Sequence, residues 1–165
     1  MENNSCTVSI EVDQSATVVF NAICNVTSWW SKDFEGNSTG INDEFVIHHP
    51  GQHYSKQKVV QLIPYNRITW LVTASELYWL KNNQADWTDT KMDFQITSNG
   101  NKTILQFTHE GLVPAKESYD LCNQGWHMII TQWLYHFICT GKPAQEMENA
   151  AAIRNKYLEG NIYKL

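Results

Sequence analysis

The stretch TDTKMDFQITSNGNKTILQFTHE, residues 88–110, decides the fold. It reads as two alternating strands about a Ser98-Asn99-Gly100-Asn101 turn, because Asn-Gly between alternating runs is the strongest short-range hairpin signal. A two-residue Asn99-Gly100 loop sets Ile96 opposite Thr103, Phe94 opposite Leu105, Met92 opposite Phe107 and Thr90 opposite His109. The other face carries Asp89, Lys91, Asp93 and Gln95 against Ile104, Gln106, Thr108 and Glu110. One face is apolar and the other is wet, so the apolar face requires a cover. Gly111-Leu112-Val113-Pro114 follows, and then an aromatic-rich helix over Tyr119–Thr140. Its Cys122, Trp126, Ile129, Ile130, Trp133 and Phe137 recur at helical spacing and face the sheet.

Upstream, Cys6–Val12 alternates with Val8, Ile10 and Val12 on one side and reads as a strand. Asp13-Gln14-Ser15 offers a helix cap, and Ala16–Cys24 carries Val18, Val19, Ala22 and Ile23 at helical spacing. Thr27–Ser31 reads as a second short helix or turn, and Gly36–Gly40 as a polar loop. Glu44–His49 and Lys56–Ile63 bracket Pro50-Gly51, a type II turn signature, and Pro64-Tyr65-Asn66 forms the next turn. Ile68, Trp70 and Val72 alternate in a further strand, and Ser75–Trp87 is a long connection bearing aromatic residues. Lys142-Pro143 ends the long helix, because proline has no amide to continue it. Ala144–Leu165 reads as an appended amphipathic helix with an unstructured end. The order predicts an α+β domain over residues 1–143 and a helical tail over 144–165. Within the domain, a curved, mostly antiparallel sheet wraps one long C-terminal helix, with two short helices near the start.

At 165 residues and 19.1 kDa the chain is expected to be one domain, long enough to bury roughly 70% of its unfolded surface. A net charge of −5 and no run of Lys or Arg argue against nucleic acid, which requires a basic stripe. Met1–Ser5 has neither a charged n-region nor an apolar h-region, and no segment approaches the roughly 20 apolar residues of a membrane helix. A cytoplasmic protein without a membrane span is expected. Cys6, Cys24, Cys122 and Cys139 lack C-x-x-C spacing and read as buried thiols rather than disulfides or zinc ligands. Seven Trp are more than an ordinary core uses, and indole suits a cavity wall, being broad and apolar with one donor at its edge.

Several of these residues together resemble a known family. Val8-x-Ile10, the run from Val18 through Phe20 to Ala22, and Trp29-Trp30 resemble the start of the START-like (SRPBCC) superfamily. Arg67-Ile68-Thr69-Trp70, then Thr103-x-Leu105-x-Phe107-Thr108-His109-Glu110-Gly111-Leu112, and Gly125-Trp126 with Gly141-Lys142-Pro143 are similar to its activator of Hsp90 ATPase homologue 1-like branch. The resemblance spans roughly Thr7 to Pro143. It implies a helix-grip (START-like/Bet v 1-like) fold with a cavity between the sheet and the C-terminal helix. Members share fold far more than function, so fold alone selects no activity.

Within that frame Trp70, Met92, Phe94 and Phe107 on the sheet, and Trp126, Ile130, Trp133 and Phe137 on the helix, are the expected lining of a ligand cavity. His109 and Thr90 are its expected polar groups. His109 is also a candidate general base near neutral pH, although no carboxylate shares its face. The alternative for His109 is a buried histidine satisfied by Thr90 or a backbone carbonyl. His127 is expected near the rim, and reads as an exposed histidine rather than a site residue. If Pro50-Gly51 is a two-residue turn, His48 pairs with His53 on the solvent face and His49 points inward, so three metal ligands do not converge and no metal is expected. That register also places Lys56 and Lys58 inward, which points to a slip or bulge there. Trp79 and Trp87 lie on a connection that reads as a lid or a packed loop. No nucleophile elbow or phosphate-binding glycine loop is present, and no cofactor is expected.

The leading functional reading is a non-enzymatic module that binds a small hydrophobic or aromatic molecule. A second, implied by the resemblance, is a co-chaperone-like partner that stimulates Hsp90. A third is a cyclase or hydrolase using His109. The tail is a candidate homodimer contact.

Overall fold

A computed structural model describes residues 4–147. Seven strands form one sheet in the order β1-β7-β6-β5-β4-β3-β2, and every neighbouring pair is antiparallel. The strands are β1 (Cys6–Val12), β2 (Phe34–Gly36), β3 (Glu44–His49), β4 (His53–Ile63), β5 (Arg67–Leu77), β6 (Lys91–Asn99) and β7 (Lys102–Glu110). Helix α1 (Ala16–Cys24) starts where predicted: Ser15 is its N-cap, and its Oγ accepts from the Val18 amide at 3.2 Å. A 3₁₀ turn (Val26–Ser28) leads to the buried pair Trp29-Trp30. The long C-terminal helix runs through α2 (Tyr119–Met128), a π-helical turn (Ile129–Leu134) and α3 (Tyr135–Thr140). It lies against β1, and α1 packs on β6 and β7. The helix-grip architecture is therefore present. The tail expected over 144–165, with its dimer contact, lies outside the described residues from 148 onward; Ala144 and Met147 are buried.

The β6–β7 hairpin keeps the predicted faces but not the predicted partners. Phe94 pairs with Phe107, Met92 with His109 and Asn99 with Lys102, which leaves Gly100-Asn101 as the loop. Gly100 takes φ +64° while Asn101 has no positive φ, which puts glycine first, as in a type II′ turn rather than second as in type I′. The pairing thus moves by two residues, and an even shift preserves the face of every side chain. The β3–β4 hairpin moves by one, and there the faces change. Pro50-Gly51 does form the expected turn, with Gly51 at φ +78° and the Gln52 amide donating to the His49 carbonyl at 2.9 Å. A type II turn does not match the twist of paired strands, and the ladder resumes only at His53. His49 therefore pairs with His53, and His48 with Tyr54. Ser55, Gln57 and Val59 turn inward, and Lys56 points outward to Glu44 at 3.7 Å.

The inward stripe of the long helix also differs from expectation. Trp126, Ile130, Leu134 and Ile138 are buried at a strict four-residue spacing, whereas Trp133 and Phe137 are only half-buried. A π turn holds more residues than an α turn, so it cancels the drift that would otherwise have brought Trp133 and Phe137 inward.

Strand β2, which ends at the first residue of the expected Gly36–Gly40 loop, is fixed by one glycine. Gly36 sits at φ +103°, and a Cβ there would lie 2.3 Å from the Glu44 carbonyl oxygen. Gly36→Ala is expected to destabilise the fold by about 2–3 kcal/mol through strain and loss of β2 pairing. Urea unfolding checks this; a change under 0.5 kcal/mol would show that β2 contributes little.

Candidate functional site

The gap between sheet and helix is filled by the chain's own rings. Trp30 stacks on Trp70 with planes 4° apart and centroids at 6.1 Å, and Trp29 stacks on Trp70 at 6.3 Å. Phe94 meets Trp70 edge-on at 4.8 Å, and Phe107 lies 4.6 Å from Trp126. Trp70, Met92, Phe94, Phe107 and Ile130 are fully buried, so these expected lining residues are core.

His109 is sealed beneath that core. Its Nδ1 accepts from the Trp126 indole N–H at 3.0 Å, and its Nε2 lies 2.8 Å from Thr90 Oγ1, which itself donates to the Trp87 carbonyl. The acceptor role of Nδ1 places the ring proton on Nε2, so both nitrogens of His109, the Thr90 hydroxyl and the Trp126 indole N–H are matched. Burial, reinforced by the charge of Lys116, pushes the His109 pKa down to about 3. The ring has no exposed surface and no free lone pair at the cavity. This corrects the general-base reading: His109 ties β7 to the helix and to the Trp87 segment, and the satisfied-histidine alternative is the one the geometry holds.

A cavity of about 400 Å³ remains at one end of the sheet. Trp30 and Trp126 close its inner end, and Leu121, Cys122, Gly125 and Ile129 of the helix form one wall. Leu77, Trp79 and Trp87 form another, and the β3–β4 turn contributes His49, Gln52 and His53. Of the ten residues expected from sequence to line a cavity, Trp126 alone does so. Trp133 and Phe137 lie elsewhere on the helix, and His127 is exposed, with its Nδ1 2.8 Å from the Asn123 carbonyl.

Two acidic side chains set the wall that carries Trp79 and Trp87. Glu117 accepts from the Lys81 amide at 2.6 Å and from the Asn82 amide and side chain at 3.2 and 2.7 Å. Asp86 accepts from the Ser118 amide and hydroxyl at 3.2 and 2.6 Å, capping α2 from outside the helix. The connection read from sequence as a lid or packed loop is thus latched to the start of the helix.

The polar end is organised by β4. His49 and His53 face each other with ring centroids 5.5 Å apart, and Trp87 meets His53 edge-on at 4.8 Å. His53 Nε2 lies 2.7 Å from Ser55 Oγ, which also accepts from Gln57 Nε2. Burial holds His53 well below the ordinary histidine range, and repulsion from His49, His48 and His109 acts in the same direction. Burial likewise pushes the Cys122 thiol up to about 12, against the Trp87 indole N–H, so this sulfur is no nucleophile. All four cysteines are free thiols. Among the described residues no His, Cys, Asp or Glu group is arranged to hold a metal ion, and no helix is long and apolar enough to cross a membrane.

The sequence signal for this site lay in the two lysines. Only a one-residue slip of β4 takes Lys56 and Lys58 out of the core, and the same slip brings His49 and His53 together.

Solved structures share this architecture at low identity. The Aha1 dimer from Colwellia psychrerythraea superposes with a TM-score of 0.67 at 21% identity, over 84% of this chain and 98% of that one. CalU16 from Micromonospora echinospora gives 0.59 at 17% identity, over 96% and 88%. MLL2253 from Mesorhizobium loti gives 0.62 at 16% identity, over 80% and 96%. Among curated proteins no sequence matches this chain significantly. A family model described as activator of Hsp90 ATPase homolog 1-like protein matches residues 13–138, from the α1 cap through the last buried residue of the long helix. That span takes in both short helical segments, all but the first strand and the whole cavity, and the chain belongs to this family.

Proposed function

We propose that this protein is a non-enzymatic binding module for a small, predominantly apolar molecule held in the cavity between the β3–β4 turn, the Trp79–Trp87 connection and α2. The observation that carries the reading is the cavity itself. Its volume of about 400 Å³ lies in the range of small-molecule sites, its walls are mainly indole and aliphatic, and its few polar groups are gathered at one end. Affinity comes from apolar burial, on the order of 25 cal/mol per Å² before ordering costs. The site offers no nucleophile and no paired acid and base, which supports binding over catalysis. The family's name favours a second reading, stimulation of an Hsp90 ATPase, which an ATPase assay with the cognate chaperone tests directly.

Gly125 supplies the clean test of the cavity. It lines the space from within α2, and a Cβ there would meet nothing within 4 Å. Gly125→Leu should plug the cavity while leaving the core intact, and loss of a mid-helix glycine favours the helix by up to about 1 kcal/mol. Native mass spectrometry of freshly purified protein is expected to show a bound mass that denaturation releases, and Gly125→Leu to lack it. Equal adducts on both proteins, or no adduct on either together with no binding of naphthalene by intrinsic fluorescence, would overturn the reading.

A further inference from the structure

We infer that the His49–Gln52–His53 end of the cavity selects an uncharged ligand, one with an aromatic body and a single hydrogen-bonding oxygen that His53 receives. The inference rests on the cavity reading and adds the ligand's chemical class to it. Three independent observations converge on it.

The first is the track behind His53. Ser55 and Gln57 are polar and fully buried on the inner face of β4, where the neighbouring positions of β3 are Phe45 and Ile47. Burying two such side chains is costly unless they serve a polar group, and here they lead to one. Ser55 Oγ holds His53 Nε2 and so fixes the ring, while the Gln57 amide backs Ser55. The other ring nitrogen of His53 makes no hydrogen bond among the described residues and is the one left for a bound molecule.

The second is orientation. Trp87 and Trp30 both meet His53 edge-on, at 72° and 67°, so the imidazole is wedged between indoles with little freedom to turn. An anchor held by packing and by a backing hydrogen bond loses little entropy when it engages a ligand. The same indoles, with Trp126 stacked 19° from Trp87, line the space that an aromatic body would occupy.

The third is charge. No Lys, Arg, Asp or Glu lines the cavity among the described residues. A carboxylate or ammonium entering it would shed its hydration against walls that carry no Lys, Arg, Asp or Glu to pair with it. A hydroxyl or carbonyl would exchange one water hydrogen bond for one from His53.

The test uses three probes of one shape: naphthalene, 2-naphthol and 2-naphthoate, titrated at pH 7.5 into the whole protein. 2-Naphthol is expected to bind about tenfold more tightly than naphthalene, and 2-naphthoate at least tenfold more weakly than 2-naphthol. His53→Leu should bring 2-naphthol down to the level of naphthalene and leave naphthalene within about twofold. His53→Gln, which keeps a hydrogen-bonding group at the site, should restore most of the difference and guards against a folding defect in the leucine variant. Binding of 2-naphthoate as tight as that of 2-naphthol, or an equal loss of naphthalene and 2-naphthol in His53→Leu with His53→Gln unchanged from it, would overturn the inference while leaving the cavity reading intact. Failure of all three probes would remove both.

Discussion

Trp126→Ala is expected to lower folding stability by about 4–6 kcal/mol, a large part of what a domain of this size possesses. Two costs combine. Removing a buried indole from contact with Trp30, Phe107 and Trp87 leaves a cavity, for which large-to-small changes at aromatic core sites typically lose 3–5 kcal/mol. The same change strips the donor from His109 Nδ1, and an orphaned buried acceptor costs about 1–3 kcal/mol more. Trp126→Phe separates them, since it keeps most of the ring contact and loses only the N–H; about 1–3 kcal/mol is expected. Urea unfolding followed by far-ultraviolet circular dichroism avoids the loss of fluorophore, and an unchanged m-value would show that the denatured state is not the cause. A loss below 2 kcal/mol for the alanine variant would mean that the Trp126–His109–Thr90–Trp87 chain does not hold the helix to the sheet. Because Trp126 also closes the cavity, binding must fall in the alanine variant whatever the ligand, so stability and not affinity is the informative readout here.

How much of this was legible in the sequence depends on what each error did to the alternation of faces. In the β6–β7 hairpin the two-residue loop lies one position later than Asn99-Gly100, yet the resulting shift in pairing is even, and Met92, Phe94, Phe107 and His109 keep their inward face. In the β3–β4 hairpin the turn was read correctly, but the ladder restarted one residue late, and every side chain of β4 changed sides. The candidate site depended on that one residue. His49 and His53 share a face only with a three-residue loop. The helix stripe failed for a different reason: nothing in the run from Ile129 to Leu134 marks a π turn, which forms in response to packing rather than to composition. The hairpin strands, the Ser15 cap and the long helix depend on local patterns and could be read from sequence. Trp29 and Trp30 were visible as a doublet, but their filling of the sheet–helix gap is a tertiary fact with no periodic signal. It moved the open space from the middle of the grip to its end.

Acidification is the second route by which this fold should lose several kcal/mol, and the cause is His109. Its folded pKa of about 3 lies below the unfolded value of 6.5, so between the two the unfolded chain carries a proton there that the native state refuses. The stabilisation is fully present above pH 6.5 and falls by about 1.36 kcal/mol for each pH unit below it, reaching about 5 kcal/mol near pH 3. His53 has the same sign and adds to the slope. Asp93 contributes in a lower window. Burial alone would raise its pKa, but hydrogen bonds from Arg67, Gln95 and Thr69 outweigh that and hold it below the ordinary range. Its stabilisation is therefore lost only below the unfolded aspartate value, about pH 3.9. Between pH 6.5 and 4.5 the slope thus belongs to the histidines, and His109→Gln should reduce it by about 1.36 kcal/mol per pH unit, whatever the substitution does to stability at pH 7.5. Urea midpoints at four pH values across this window give the slope directly. Nitrogen chemical shifts of the imidazole at pH 5 provide a readout independent of unfolding: His109 should still be neutral, with its proton on Nε2. An unaltered slope in His109→Gln, or a cationic His109 at pH 5, would break the hydrogen-bond chain on which the arrangement of Trp87 and Trp126 around the cavity depends.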